Sequence, residues 1–325
     1  MAEAFPSGEL GSDSIVLQME HNIELRAQRY LQETDSIPTL SIVSCNPNDG
    51  PSLTYMELKQ RVGHRLGIRV LTPQINTLEE ACDRIDQDNE DETINGTIVQ
   101  LPLREDQREF TDAILARVSP VRDVDGLGPD SPFTPATVLA TERWLEGQGI
   151  DYMAEPIALI GLGRLVNAPF YQRLRQQGAL VRGYDKDSPK LETIDGINWA
   201  RIVVSATGHP GLLTPELFVP DTEPKVLVDV GTAEQNGAQE GDVSDELRAY
   251  ALEHDWTLTR KKGGIGKVTV RALLTNLVQA AEAQAGITEP INEYRVRQSL
   301  AATSRHRSQD IRFVEDDLES GMNAR

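Results

Sequence analysis

Cysteine is scarce in this sequence, with only Cys45 and Cys82 among 325 residues. Neither belongs to a CxxC pair and no histidines cluster, which excludes a disulfide framework and a thiolate zinc site, so we predict reduced thiols and no metal. Long hydrophobic runs are also missing, because no stretch of about 18 apolar residues is present to span a bilayer. The first residues lack the basic start and apolar core of a signal peptide. These absences predict a cytoplasmic protein.

Positive charge is in deficit. Lys and Arg number 32 against 51 Asp and Glu, which gives a formal net charge of −19. A charge of that sign repels nucleic-acid phosphates and anionic membranes at long range, so we expect neither as a partner. The composition, 39% hydrophobic and 26% charged, is typical of a globular chain. The length predicts two domains, and a small molecule is the expected partner.

Helical and strand-like segments alternate over the first part of the chain. Helical spacing of apolar residues predicts helices at 14–33, 52–66 and 78–88. Short apolar runs bounded by turn residues predict strands at 38–45, 69–71 and 96–103. Strands separated by helices pair in parallel, so we predict an α/β catalytic domain over 1–135.

A second α/β unit is predicted over 136–267, and its order of elements is typical of a Rossmann-like nucleotide-binding domain with a parallel sheet. Helices are predicted at 136–147 and 168–177. Strands are predicted at 156–161, 179–185, 202–208 and 225–231. We expect a cleft between the two domains and a helix at 268–286 that returns to the first. The polar residues 287–325 are predicted to be a tail, either a docked helix with a loose end or a disordered segment.

The turn Gly161-Leu162-Gly163 carries the first two glycines of a GxGxxG fingerprint, with Val166 in the third position. Two glycines after a strand expose backbone N–H groups to a pyrophosphate at a helix N-terminus. The turn therefore indicates a dinucleotide site.

Asp185 ends the next predicted strand. An acidic side chain at that position accepts hydrogen bonds from the adenosine ribose hydroxyls and repels a 2′-phosphate, which favours NAD over NADP. Arg164, Arg182 and Lys186 lie close by in sequence and would attract that phosphate. NADP therefore stays open as the alternative cofactor.

Several polar residues of the first domain have two interpretations each. Tyr55 and Lys59 share one face of a predicted helix, either to stack a planar ligand and move a proton or as part of an ordinary surface helix. Gln100 interrupts an apolar strand at its C-terminal end, where ligand crevices of α/β sheets open. Asp123 and Asp125 are either functional carboxylates or members of an Asx turn.

Nine stretches between residues 38 and 282 follow one another in a distinctive order: SLTYMELK, GTIVQLPL, RDVDG, FTPAT, the turn leading to NAP, VVSATGHP, VLVDVGT, GDV and GGIGKVT. In their order and spacing they resemble the methylenetetrahydrofolate dehydrogenase/cyclohydrolase family. The resemblance implies NAD(P)-dependent oxidation of 5,10-methylenetetrahydrofolate to the 5,10-methenyl compound. It also implies hydrolysis to 10-formyltetrahydrofolate as a second activity, and a homodimer.

The same resemblance implies roles for individual residues. Tyr55 would stack on the aminobenzoyl ring of the folate, and Asp125 would bind the pterin. Lys59 would be the central acid/base group, oriented by Gln100; a lysine held partly out of water gives up its proton more readily. The other expected substrate-binding residues are Ser52, Leu101, Pro102, Gly263, Gly264 and Thr269. The expected cofactor-binding residues are Gly161, Gly163, Arg164, Leu165, Asp185, Lys186, Ala206, Thr207, Gly208 and Gly231.

One stretch departs from the family pattern. The usual PGGVGPMT appears as KGGIGKVT at 262–269, without either proline and directly after Arg260 and Lys261. Prolines stiffen a loop, so we expect this loop to be looser or to meet a different anion. Two other functions are considered: a Rossmann dehydrogenase acting on a different small substrate, and a non-catalytic regulatory protein that binds a nucleotide or folate.

Overall fold

The computed structural model describes residues 5–46, 50–220, 223, 225–235 and 238–288. The first half of the chain alternates helices and strands, as the hydrophobic periodicity predicts. Its elements are β1 (Gly8–Leu10), α1 (Asp13–Thr34), β2 (Thr39–Val43), α2 (Gly50–Arg65), β3 (Arg69–Leu71), α3 (Leu78–Glu90), β4 (Gly96–Val99) and α4 (Thr111–Leu115). Three of these strands form a parallel sheet in the order β3-β2-β4.

The second half forms a larger sheet. Its elements are α5 (Ala136–Gly147), β5 (Ile157–Ile160), α6 (Asn167–Gln176), β6 (Val181–Tyr184), α7 (Lys190–Trp199), β7 (Ile202–Ser205), β8 (Val226–Asp229), β9 (Thr232–Gln235), β10 (Ala238–Gly241), α8 (Asp245–Glu253), β11 (Thr257–Thr259) and α9 (Ile265–Gln284). Six strands pair in parallel in the order β1-β11-β8-β7-β5-β6. The strand order reverses at β5, since β6 lies on one side of it and β7 on the other. This reversal is the point where α/β sheets bind ligands.

The central strands of the large sheet are apolar along their whole length. β5 and β7 are fully buried, and β8 is buried except at its last residue. Helices that cover both faces of a parallel sheet bury both sides of each strand, so these strands are continuous apolar runs rather than alternating ones.

Two features of the fold correct the expectations from sequence. β1 pairs with β11 in the large sheet, so the N-terminal residues do not lie wholly within the domain expected over 1–135. Helices α7 and α8 and the hairpin β9-β10 were also absent from the predicted elements. A strand as short as Gly8–Leu10 has no periodicity of its own and exists because β11 supplies its partner. The predicted tail lies outside the described residues beyond 288.

Helix α9 covers Ile265–Gln284, where the sequence led us to expect a helix at 268–286 that returns to the first domain. It packs against α1 and α5 and also contacts α2 and β4. A buried carboxylate near its end, Glu282, is paired with Arg26 and Arg29 of α1. An unpaired buried carboxylate would cost free energy of folding, and the two arginines offset that cost. The ion pairs therefore hold the end of α9 against α1 of the catalytic domain. Within the described residues, no helix is both long and apolar enough to cross a membrane.

Candidate active site

Lys59 and Gln100 form the centre of the site. Lys59 lies on α2, and its Nζ donates a hydrogen bond of 2.8 Å to Oε1 of Gln100, which directly follows β4. The Gln100 Nε2 donates to the carbonyl oxygen of Leu101 at 2.8 Å. Because the amide nitrogen is held by that carbonyl, the amide oxygen is the atom left to face the lysine. The two residues that sequence placed on different elements are therefore in direct contact.

Asp125 faces this lysine, whereas Asp123 does not. Burial lowers the pKa of Lys59, and the Asp125 carboxylate opposes that shift. Burial also raises the pKa of Asp125 to about 6, with Lys59 opposing the shift and Asp123 adding to it. Asp123 instead accepts a 2.7 Å hydrogen bond from the backbone N–H of Gly128. Asp123 therefore holds the turn locally, through a bond that spans five residues rather than the two of an Asx turn. Asp125 remains the functional candidate.

The Asp125 turn is fixed by close packing and by a residue that the sequence did not single out. Gly126 has a φ of +73°, and a Cβ there would lie 2.7 Å from the carbonyl oxygen of Phe133. Only glycine fits that approach. The buried amide of Asn276 on α9 donates to the carbonyl oxygens of Val124 and Thr134, each at 2.9 Å. Nothing local marks Asn276, because its two acceptors lie far away in sequence.

Tyr55 lies on α2, one helical turn before Lys59. Its side chain is 39% exposed, burial of the remainder raises its pKa, and its hydroxyl lies 3.1 Å from where a Cβ on Gly266 would stand. This contact brings the loop at 260–266 next to α2. The other expected substrate-binding residues differ in exposure: Ser52 is buried, Leu101 half-buried and Pro102 exposed. The Thr269 hydroxyl donates back to the carbonyl oxygen of Ile265 within α9.

The glycine turn of the second domain is built for a close approach. Gly161 has a φ of +82°, and a Cβ there would lie 2.6 Å from Cγ2 of Thr207. The turn after β5 and the loop after β7 are therefore in contact at the strand reversal, as a dinucleotide site requires. A glycine backbone at this position admits a pyrophosphate where a side chain would not, so the residues fit NAD(P).

The other expected cofactor residues surround this turn. Leu165 and Lys186 are exposed, and Asp185 directly follows β6. Arg164 forms an ion pair with Asp112 of α4, which links the glycine turn to the catalytic domain. Within the described residues, no three histidine, cysteine or carboxylate side chains cluster as a metal site.

Asp242 is a functional candidate that the sequence did not indicate. Its fully buried carboxylate accepts hydrogen bonds from the Ser205 hydroxyl and the Thr207 N–H, both at 2.7 Å, and from the His209 N–H at 3.0 Å. A Cβ on Gly231 would lie 2.2 Å from the same carboxylate. Asp242 therefore holds the 205–209 loop against the glycine turn. The stretch GDV was part of the family resemblance, but the role of its aspartate follows only from the fold.

Asp242→Asn is expected to raise the KM for the nucleotide about 10-fold or more, because a hydrogen bond to a charged group is lost and an amide N–H faces backbone N–H donors. The KM for the second substrate should stay unchanged, since Asp242 is remote from Lys59. Steady-state kinetics with each substrate varied in turn separate the two constants. Asp195→Asn, an exposed change on α7, is the matched control; equal nucleotide KM values in the two folded variants contradict the role.

Asn167 explains how the turn functions without its third glycine. Its buried side-chain amide donates to the carbonyl oxygens of Ile160 and Val204, at 2.9 and 3.2 Å. These carbonyls belong to β5 and β7. The amide thus ties the start of α6 to two strands, a packing role that the third glycine of the fingerprint otherwise serves.

Comparison with known proteins places the chain. Two family models match it: tetrahydrofolate dehydrogenase/cyclohydrolase, catalytic domain, over residues 10–125, and the NAD(P)-binding domain of the same enzyme over residues 132–285. The bifunctional protein FolD of Staphylococcus carnosus (strain TM300) is 30% identical over 273 residues, which cover 79% of this chain and 91% of that protein. The chain belongs to the tetrahydrofolate dehydrogenase/cyclohydrolase family.

Solved structures of this family have the same fold. The Campylobacter jejuni bifunctional enzyme FolD is 25% identical, with a TM-score of 0.76 over 85% of this chain and 99% of that one. The Trypanosoma brucei enzyme, solved with NADP cofactor and inhibitor, is 25% identical, with a TM-score of 0.75 over 88% of this chain and 99% of that one. Family membership confirms the resemblance drawn from the sequence motifs, and both family domains are present.

Proposed function

We propose that this protein catalyses the NAD(P)-dependent oxidation of 5,10-methylenetetrahydrofolate to 5,10-methenyltetrahydrofolate and the hydrolysis of that product to 10-formyltetrahydrofolate. The observation that carries the proposal is the contact of Lys59 with Gln100 beside Asp125. This group lies in one domain of a chain whose other domain matches the NAD(P)-binding model of the family.

Lys59 is suited to hold or release a proton. Burial disfavours its charged form and lowers its pKa, which brings the group closer to neutral pH. Gln100 fixes the position of Nζ without adding charge. For the hydrolysis, Lys59 takes the proton of the attacking water, and a proton acceptor works best when its pKa lies near the working pH.

Asp125 is suited to bind a ring that carries N–H donors. With a pKa of about 6, its carboxyl group is largely ionised at neutral pH and accepts hydrogen bonds. The pterin of a folate presents an amino group and ring N–H groups to such a carboxylate. Tyr55, with an exposed ring face, stacks on the aminobenzoyl group.

The second domain holds the cofactor through backbone and small side chains. Gly163 would present its N–H to the pyrophosphate at the start of α6. The N–H of Gly161 donates to the carbonyl oxygen of Tyr184 at 2.7 Å, so Gly161 would serve by leaving room for the cofactor. The loop of Ala206, Thr207 and Gly208 would border the nicotinamide. When bound, the nicotinamide accepts a hydride from the substrate. We further propose NAD as the preferred nucleotide, because Asp185 follows β6 at the edge of the cofactor turn.

The proposed reactions are tested with the purified chain under anaerobic conditions. 5,10-Methylenetetrahydrofolate is supplied with NAD or NADP in parallel, and the absorbance bands of the reduced nicotinamide and of methenyl-folate are recorded separately. Growth of both bands with either nucleotide is the expected result. Decay of the methenyl band above its uncatalysed rate establishes the hydrolase. If a folded protein changes neither absorbance band with either nucleotide but still binds folate, the result favours the regulatory function instead.

A homodimer is also proposed, through the outer edge of β6. Among the described residues no strand pairs with that edge, and an unpaired parallel edge is a ready template for a second strand. A groove of about 490 Å³ runs beside it, lined by Tyr171, Arg175, Leu180, Arg182 and Trp199 among others. Leu180 is 60% exposed in the single chain.

The free thiols Cys45 and Cys82 support a reducing, cytoplasmic location.

Leu180→Asp is expected to weaken the dimer about 100-fold, because a two-fold axis brings two like charges to one interface. Sedimentation equilibrium over a concentration series measures the dissociation constant. Leu191→Asp, on the exposed face of α7, is the matched control and should leave the constant unchanged. A monomeric parent protein, or a dimer unaffected by Leu180→Asp, contradicts this interface.

A further inference from the structure

Two strand-turn-helix units lie side by side at one end of the large sheet. β1 leads through Gly11 and Ser12 into α1, and β11 leads through the segment 260–264 into α9. The strands pair in parallel, and the N–H of Arg260 extends the ladder by donating to the carbonyl oxygen of Leu10 at 3.0 Å. The two turns are therefore adjacent, although some 250 residues separate them in the chain.

Ser12 uses its hydroxyl in an unusual way. It occupies the N-cap position of α1, yet its side chain makes no capping hydrogen bond to that helix. The Oγ lies 2.6 Å from the carbonyl oxygen of Gly263 and 2.8 Å from that of Gly264, and the residue is fully buried. A serine hydroxyl has one proton, so it is shared between the two carbonyls. The serine that would stabilise its own helix start is directed to the neighbouring loop instead.

The charged residues around this contact contribute less. Asp13 lies 3.3 Å from Nζ of Lys267 and 3.9 Å from Nη1 of Arg260. Its side chain is 69% exposed, and exposed ion pairs add little to stability. The guanidinium of Arg260 also covers Gly11, where a Cβ would lie 2.9 Å from Nη1. Among these contacts, the buried Ser12 hydrogen bond is the strongest restraint on the loop.

The anchored segment leads directly to the residues that lie beside Tyr55. Gly264 precedes the first turn of α9, and Gly266 in that turn lies beside the Tyr55 hydroxyl. The family's prolines are absent from this loop, so the chain itself does not stiffen it. A restraint on the carbonyls of Gly263 and Gly264 fixes where α9 begins. It therefore also fixes the position of the first turn of α9, which lies beside Tyr55.

We infer that Ser12 is a positioning residue for folate binding: its hydroxyl holds the segment 260–264 so that the start of α9 stands beside Tyr55. This role rests on the function proposed above. It makes the β1-α1 turn, which belongs to the large sheet, part of the substrate site of the other domain. In this chain the serine supplies the restraint that the missing prolines would give.

Ser12→Ala tests the inference with two independent measurements. Hydrogen exchange of the peptide covering 260–267 should accelerate, while exchange of the 205–209 loop stays unchanged. The KM for 5,10-methylenetetrahydrofolate should rise about 3- to 10-fold, which corresponds to the loss of one buried hydrogen bond. The KM for the nucleotide should stay within about 2-fold, because that constant depends on the Asp242 loop. Ser14→Ala, an exposed change on the same helix turn, is the matched control.

A graded variant guards against loss of folding. Ser12→Cys keeps a weak donor of similar size and should give a smaller rise in the folate KM than Ser12→Ala. Exchange of 260–267 and a folate KM in Ser12→Ala that both equal those of the parent protein overturn the role of Ser12, and so does a Ser12→Cys variant that changes them more than Ser12→Ala does. If the parent protein oxidises no folate, the proposed function fails, while the exchange measurement still decides whether Ser12 anchors the loop.

Discussion

Lys59→Met is expected to abolish hydrolysis of 5,10-methenyltetrahydrofolate while nucleotide binding stays intact. Methionine keeps the length and apolar stem of lysine but removes the group that carries the proton and donates to Gln100. A positioned acid/base group contributes about 10²- to 10⁴-fold to a rate, so the enzymatic decay of the methenyl band should fall close to the uncatalysed value. The nucleotide site lies in the other domain and is measured by titration with NAD.

The neighbouring carboxylate decides the conditions of this experiment. In the parent protein the Lys59 charge restrains the rise in the pKa of Asp125, which reaches about 6. Without that charge the pKa of Asp125 rises further, and near neutral pH the carboxyl group begins to take up a proton. Raising the pH favours the ionised form of Asp125, so the assay is run with saturating folate from about pH 7 to about pH 8.5. A rate that stays near the uncatalysed value over this whole range reports the loss of the lysine.

Two outcomes of the Lys59 experiment have different meanings. An unchanged hydrolysis rate removes Lys59 from the mechanism. Loss of both nucleotide binding and activity indicates that Lys59→Met does not fold correctly. The acid/base role of Lys59 is then tested with Lys59→Arg, which keeps a positive charge but does not release its proton. Lys190→Met, at the exposed start of α7, is the control for removal of one lysine.

The sequence predicts the core of the site because that core depends on local patterns. Tyr55 and Lys59 share a helix face by their spacing alone, and Gln100 stands out as the polar residue that ends an apolar strand. Their meeting at 2.8 Å follows once the helix packs on the sheet of which that strand is part. The choice between Asp123 and Asp125 could not be made locally, since both fit a turn and only the packed structure shows which one faces the lysine.

The residues that sequence reasoning missed share a physical reason. Ser12, Asp242 and Asn276 each act on chain segments that lie far away in sequence. A serine before a helix predicts a cap, and an aspartate after glycine predicts a turn, so their local patterns indicate the wrong partner. The same reason hides β1, whose strand conformation depends on β11. Tertiary pairing decides these roles.

Asp185→Ser is expected to shift cofactor preference toward NADP, raising the ratio of kcat/KM for NADP to that for NAD about 10- to 100-fold. In the proposed function, the carboxylate of the parent protein would repel a 2′-phosphate at the end of β6 and would accept hydrogen bonds from the ribose hydroxyls. Its Oδ1 is engaged by the Asp187 N–H at 2.9 Å and the Ser188 hydroxyl at 3.2 Å, and within the described residues no hydrogen bond reaches Oδ2. That oxygen is the one available to the ribose.

Serine suits the exchange because its hydroxyl also accepts from a backbone N–H two residues on, which preserves the local turn. Without the carboxylate, the exposed Lys186 would attract the 2′-phosphate. Arg182 is also exposed, but its guanidinium lies 4.1 Å over the Trp199 ring. Asp187→Ser makes the same charge change two residues away and is the control for general electrostatics. If both variants change the ratio equally, net charge accounts for the effect. If Asp185→Ser leaves the ratio unchanged, Asp185 does not set the choice between NAD and NADP, and the proposed basis for an NAD preference is wrong.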